Sequence, residues 1–200
     1  IGAALCYSGN YKLRIDTDDS DYHQFYAGIN EENSSYTLPK GTVFQTPAVA
    51  LTYSNEGLSG ASRNFHKWGR TYKLAHGNTV RDILLNSWEG VYFDINQKGM
   101  DQMMGDIASM GGELFVMDDG WFGDKYPRKN DSSSLGDWVV DKNKLPEGIE
   151  GLIRDAKKHG IKFGIWIEPE MANTTSELYE KHPEWILKAP QRDPVLGRGG

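Results

Sequence analysis

Three short segments of the sequence combine carboxylates with tryptophan. They read Asn-Ser-Trp-Glu at 86–89, Asp-Asp-Gly-Trp at 118–121 and Trp-Ile-Glu-Pro-Glu at 166–170. Carboxylates accept hydrogen bonds from hydroxyl groups, and an indole ring covers the apolar face of a sugar. The pattern therefore predicts a pocket for a polyhydroxylated ring, with Trp88 and Trp121 as candidate walls.

The adjacent pair Asp118 and Asp119 invites comparison with the acid and nucleophile of a glycosidase. In a retaining enzyme, however, those two carboxyls flank one bond from opposite sides, about 5 to 5.5 Å apart. Neighbouring residues of a strand project in opposite directions, which does not suit that arrangement. We expect the pair to bind neighbouring hydroxyls of one ring, where Gly120 lets the chain bend. The alternative is that both carboxylates only cap the loop.

A metal site is a second interpretation of the acidic residues, since carboxylates after successive strands can hold Mg²⁺. The residues concerned are Asp118, Asp119, Glu168 and Glu170. Their neighbours are tryptophans, and no lysine follows at the strand ends as a base. We therefore predict no metal.

Alternating strands and helices must position these segments. Strands are expected at 83–87, 113–117 and 162–167. The expected helices begin after Asn96, precede Gly160 and span 176–181. Such alternation predicts parallel pairing, in either a doubly wound sheet or a (β/α)₈ barrel.

Two details favour the barrel. No strand is followed by the Gly-x-Gly-x-x-Gly loop of dinucleotide folds. The third strand alternates an aliphatic side, expected to pack on helices, with a side suited to a barrel axis. The aliphatic residues are Phe163, Ile165 and Ile167, and the opposite ones are Gly164, Trp166 and Glu168. About three of the eight βα units are present, so the barrel is expected to be incomplete.

The first 53 residues favour antiparallel β structure. Short β-prone stretches at 11–15, 25–29, 42–45 and 48–53 are separated by turn-rich clusters. Apolar residues then recur at helical spacing, and that helix should end near residues 77–78. The residues of this stripe are Leu58, Ala61, Phe65, Trp68 and Tyr72.

Composition restricts the function classes. The 200 residues carry a net charge of -6 and are 38% hydrophobic, which is typical of a globular domain and argues against nucleic acid as a partner. No apolar run approaches the roughly 18 residues of a membrane span, and no signal peptide is visible. The single cysteine, Cys6, excludes an internal disulfide and fits a cytoplasmic location.

Several motifs in order resemble the α-galactosidases of glycoside hydrolase family 36. Besides the three segments above, they are Leu-Phe-Val-Met at 114–117, Ser-Ser-Leu-Gly-Asp-Trp at 133–138, Lys-Leu-Pro-Glu-Gly at 144–148 and His-Pro-Glu-Trp at 182–185. The likeness covers residues 82–200 and is highly specific. It implies a multi-domain fold in which residues 1–57 end an N-terminal β-sandwich, 58–80 form a linking helix and 81–200 begin a (β/α)₈ barrel.

By this resemblance the enzyme is a retaining hydrolase of terminal α-galactosides such as raffinose and melibiose, needs no cofactor and forms a homo-oligomer, often a tetramer. Asp118 and Asp119 match the family's galactose-binding acidic pair, Trp166 its sugar-contacting tryptophan and Arg198 its substrate-binding arginine. The family's nucleophile follows a lysine on the next strand, and nothing in 186–200 matches it. Both catalytic residues are therefore expected beyond Gly200, and the loop at 124–131 is longer than usual.

Three alternatives to α-galactoside hydrolysis stay open at this point. One is galactosyl transfer, as in raffinose or stachyose synthases, and another is hydrolysis of α-N-acetylgalactosaminides. The third is a non-catalytic sugar-binding protein.

Overall fold

The computed structural model describes residues 1–197 and divides the chain into two compact units. The first unit comprises Ile1–Val80, and the second begins at Arg81. The predicted sugar ligand Arg198 lies outside the described residues.

The first unit contains two antiparallel strand pairs. Strand β1 (Gly2–Leu5) pairs with β4 (Val49–Thr52), and β2 (Tyr11–Thr17) pairs with β3 (His23–Ile29). The β structure expected around 11–15, 25–29 and 48–53 is thus confirmed. The strand expected at 42–45 is wrong, because Thr42 instead closes a turn, donating from its backbone N–H and its hydroxyl to Pro39 O.

One helix ends the regular structure of the first unit. Helix α1 covers Gly57–Trp68 and is followed by a π-helical turn at Gly69–Lys73. The sequence predicted an uninterrupted helix to residues 77–78. The α-helix ends earlier because Leu74 N donates to Gly69 O, the five-residue bond of a π-turn.

The second unit is built on a parallel three-stranded sheet. Its strands are β5 (Leu84–Asn86), β6 (Leu114–Met117) and β7 (Lys162–Ile165), in that spatial order. The connections and the segment after β7 carry helices α2 (Trp88–Val91), α3 (Gln97–Ser109), α4 (Gly148–Lys158) and α5 (Glu177–Lys181), followed by a 3₁₀ turn at Pro183–Trp185. Sequential parallel strands with helical connections are what the sequence predicted. The short α2 was not predicted.

Helix α3 begins where the sequence predicted. The side chain of Asn96 accepts a 2.8 Å hydrogen bond from Gly99 N, which satisfies one of the unpaired donors of the first turn. Met100 and Met104 are fully buried in the core, where the flexible methionine side chain fills irregular space. Helix α3 contacts both α4 and β6.

The core of the second unit is centred on β6. Phe115 and Met117 are completely buried there, together with Leu152 of α4. On β7 the expected packing is only partly observed. Phe163 packs against the core, whereas Ile165 is 38% exposed and Ile167, which follows the strand, is 54% exposed.

The helices of the structure are short. The longest of the described helices is α3, with 13 residues, whereas a span needs about 20. Within residues 1–197 no helix has both the length and the apolar character to cross a bilayer.

Candidate functional site

A cavity of about 260 Å³ lies where the three parallel strands end. Trp88 follows β5, Asp118 and Asp119 follow β6, and Trp166 follows β7. Because parallel strands present their carboxyl ends at one edge, residues distant in sequence meet there. The complete lining comprises Trp88, Asp118, Asp119, Arg128, Asp131, Leu135, Trp166, Glu168 and Met171.

The carboxylate of Asp118 is oriented by the segment that follows β5. Its Oδ2 accepts a 2.6 Å hydrogen bond from Asn86 Nδ2, and its Oδ1 accepts one of 2.8 Å from the backbone N–H of Asp119. The backbone N–H of Asp118 donates to Ser87 Oγ at 3.0 Å. Asp118 is only half-buried, so its carboxylate is fixed in direction and still faces the cavity.

Asp119 is more deeply buried and forms an ion pair with Arg128. Arg128 Nε donates to Asp119 Oδ1 at 2.9 Å, and Nη2 donates to Oδ2 at 2.7 Å. Asp119 is 5% exposed and Arg128 2%. Each carboxylate oxygen has a second lone pair, so the pairing leaves Asp119 able to accept hydrogen bonds from a ligand.

The chain turns sharply after the acidic pair, as the sequence predicted. Gly120 has φ +108°, and a Cβ at this position would lie 2.9 Å from Phe93 Cα. The ammonium of Lys144 donates to the carbonyls of Gly120, Phe93 and Arg128 at 2.7 to 2.9 Å. Burial lowers the pKa of Lys144 below its ordinary value. One half-buried side chain thus holds the turn through three hydrogen bonds.

Two tryptophans line the cavity, and a third supports it. Trp88 and Trp166 are wall residues, and both are half-buried. Trp121 is 4% exposed and packs in the core beside Trp138, so we do not propose it as a wall. Its indole Nε1 donates to the backbone carbonyl of Trp166 at 3.0 Å, which joins the segments after β6 and β7.

Negative charge dominates the cavity. Among the described lining residues four carry carboxylates and one, Arg128, is cationic. Burial, followed by the charge of Glu170, raises the pKa of Glu168 above its ordinary value. Within residues 1–197 no cluster of three or more His, Cys, Asp or Glu is arranged to hold a metal ion. The cavity suits a neutral polar ligand better than an anion.

Comparison with known proteins gives the family. The sequence model of the Melibiase family matches residues 43–200. The chain belongs to the Melibiase family. It is 42% identical to "Alpha-galactosidase AgaA" of Geobacillus stearothermophilus over 200 residues, which are 98% of this chain and 27% of that protein.

Solved structures of other melibiases are equally similar. A doubly substituted variant of the family GH36 α-galactosidase AgaA from G. stearothermophilus, determined in complex with raffinose, superposes with a TM-score of 0.91 at 41% identity. A second variant, determined in complex with stachyose, gives the same values, and in both cases the match covers 98% of this chain and 27% of the other. The resemblance to family 36 is confirmed. This chain spans about a quarter of the length of these relatives.

The structure brings together most of the residues predicted for the site. Asp118, Asp119, Trp88 and Trp166 share one cavity, whereas Trp121 lies in the core. Their roles in sugar binding stay predictions, as does that of Arg198.

Two residues of this site, Asn86 and Arg128, were not predicted from the sequence as functional candidates. Asn86 belonged to a segment noted only for its tryptophan and carboxylate. Arg128 lies in the loop noted only for its length. The signal that could have indicated Arg128 is electrostatic, because a carboxylate buried after a core strand is costly unless a cation pairs with it.

Proposed function

We propose that the whole protein hydrolyses terminal α-galactosides such as raffinose and melibiose. The observation that carries the proposal is the cavity formed by Asp118, Asp119 and Trp166, in a chain 41% identical to an α-galactosidase determined with raffinose and with stachyose. The carboxylates accept hydrogen bonds from the sugar hydroxyls, while Trp166 and Trp88 cover its apolar face. No cofactor takes part in this proposal.

The charges of the cavity support a neutral hexose as the ligand. The guanidinium of Arg128 is already occupied by Asp119, so it does not offer the free fork that recognition of a sugar carboxylate requires. Asp118, Asp131 and Glu168 would repel an anionic sugar. A galactosyl unit presents only hydroxyls, which can donate hydrogen bonds to these carboxylates.

The two aspartates select galactose in this proposal. Galactose differs from glucose in its axial O4 hydroxyl, and a carboxylate directed at that hydroxyl would be poorly paired in a glucose complex. A buried polar group that loses its partner costs about 1–3 kcal/mol, which is enough to discriminate between epimers. The catalytic nucleophile and acid are proposed to come from sequence beyond these 200 residues, and Arg198 to bind substrate.

The architecture proposed for the whole protein follows the same resemblance. Residues 1–57 would complete a β-sandwich, 58–80 would link it to the catalytic domain and 81–200 would begin a (β/α)₈ barrel. The parallel order β5-β6-β7 supports the last of these assignments. Assembly as a homo-oligomer is part of the same proposal.

The test is the product formed by the purified whole protein. Incubation with raffinose or melibiose should release galactose, and proton NMR at early times should show the α-anomer because the proposed mechanism retains configuration. Maltose, an α-glucoside, is the matched control and should stay intact. Intact raffinose and melibiose, or release of glucose from maltose at a comparable rate, would refute the proposal.

A further inference from the structure

Arg128 makes more polar contacts than other charged residues of the cavity wall. Besides the two hydrogen bonds to Asp119, its Nη1 donates to Ser133 O at 2.8 Å and to Asn173 Oδ1 at 3.1 Å. The remaining N–H of Nη2 faces Asp131 Oδ1 at 3.6 Å. Four of its five N–H groups are therefore hydrogen-bonded to protein, which fixes the plane of the guanidinium.

Aromatic rings also restrict Arg128. Its guanidinium carbon lies 5.4 Å from the ring centre of Phe93 and 5.7 Å from that of Phe122. These distances are within the range of cation–π attraction. The guanidinium therefore cannot rotate away from Asp119 without losing contacts on several sides.

The backbone around Arg128 is also held by hydrogen bonds. Its N–H donates to Phe122 O at 3.1 Å, and its carbonyl accepts from Lys144 at 2.9 Å. Lys125 and Tyr126, which lie earlier in the same loop, both donate hydrogen bonds to the carboxylate of Glu180. The distance from Lys125 Nζ to Glu180 Oε2 is 2.6 Å. The loop at 124–131 thus holds Arg128 in a set position relative to β6.

We propose that Arg128 is a positioning residue for sugar binding, which fixes the Asp119 carboxylate so that its free lone pairs face the ligand. Arg128 itself does not bind the sugar in this proposal, because four of its five donors are taken and Nη2 also lies 3.6 Å from the carboxylate of Asp131. The proposal rests on the proposed function, in which Asp119 accepts hydrogen bonds from galactose. It assigns the loop at 124–131 a role in affinity for the sugar.

The first test measures galactose binding to variants of the whole protein by calorimetry. Arg128→Lys keeps the charge but cannot donate two parallel hydrogen bonds to one carboxylate. It should weaken galactose binding at least tenfold. In an Asp119→Asn background the same substitution should change the affinity less than twofold, because the residue it positions is already altered.

Two outcomes would overturn the proposal. One is wild-type affinity in a folded Arg128→Lys variant. The other is an equal loss of affinity in the wild-type and Asp119→Asn backgrounds, which indicates a structural effect that does not pass through Asp119. Lys129→Arg, at an exposed neighbour of Arg128 whose side chain has no part in the contacts above, is the matched control and should bind galactose like the wild type.

A second measurement does not depend on the folding of a variant. In a crystal structure of the wild-type whole protein with galactose, Asp119 should contact a sugar hydroxyl while keeping both bonds to Arg128. A direct hydrogen bond from Arg128 to the sugar, or separation of the pair, would overturn the proposal. Galactose bound outside this cavity would instead refute the proposed function, so the two failures can be distinguished.

Discussion

The side-chain amide of Asn86 donates a 2.6 Å hydrogen bond to Asp118 Oδ2, and its Oδ1 accepts one of 2.7 Å from Trp88 N. One residue at the end of β5 therefore orients a carboxylate and a tryptophan of the same cavity. Asp118 has Asn86 as its support, as Asp119 has Arg128.

The first prediction follows from this pair of bonds. Asn86→Ala in the whole protein should weaken galactose binding about tenfold, or roughly 1.4 kcal/mol, since both the direction of Asp118 and the start of α2 lose a partner. Asn86→Asp is a matched variant of the same size. It keeps the acceptor for Trp88 N but places a second carboxylate against Asp118, and should bind more weakly still. Galactose binding is measured by calorimetry. Wild-type affinity of Asn86→Ala would show that Asn86 has no role in binding the sugar.

The second prediction concerns the aromatic wall. Trp166→Ala should weaken galactoside binding by about 1–3 kcal/mol, the range expected for losing the contact area of one aromatic ring. Trp185→Ala is the control, because Trp185 is 62% exposed and stacks on His182. Calorimetry measures the galactoside affinity of both folded variants. Equal affinities would give Trp166 a purely structural role.

The third prediction concerns pH. The pKa of Glu168 is raised by burial and then by Glu170, so ionising Glu168 costs more in the folded than in the unfolded state. That cost is absent below the ordinary pKa of glutamate and is fully present above the raised value. Glu168→Gln removes it, so the gain in Tm over the wild type should be larger at pH 7 than at pH 4. Thermal unfolding at both pH values tests this, and a gain that does not change with pH would contradict it.

Local features of the second unit could be predicted from the sequence because short-range chemistry determines them. Asn96 caps α3, and Gly120 adopts the positive φ that its turn requires. The three polar segments were placed correctly after parallel strands. For the cap and the turn, the determining interaction lies within a few residues of the position concerned.

The misses depend on long-range packing. The ion pair of Arg128 with Asp119 joins a loop to a strand end, and nothing in the local sequence specifies that partner. Trp121 and Trp166 have similar sequence surroundings, yet one is buried and the other lines the cavity. Trp138 packs against both indoles, stacked on Trp121 and edge-on to Trp166, with ring centres 6.1 Å apart in each pair.

The central claim is that Asp118 and Asp119 hold the sugar and do not supply the nucleophile. Asp118→Asn and Asp119→Asn in the whole protein should each leave the fold intact and lower kcat/KM for an aryl α-galactoside at least tenfold, or roughly 1.4 kcal/mol of transition-state stabilisation. Losses of this kind follow from weaker recognition alone. They do not by themselves separate binding from bond cleavage.

Azide rescue makes that separation most directly. Asp118→Gly and Asp119→Gly are assayed on the aryl α-galactoside with and without azide, and the products are identified by NMR. A nucleophile variant would let azide attack the anomeric carbon in place of the missing carboxylate. We predict that azide restores neither variant and that no galactosyl azide forms. Formation of a β-galactosyl azide by either variant would contradict the claim and identify that aspartate as the nucleophile.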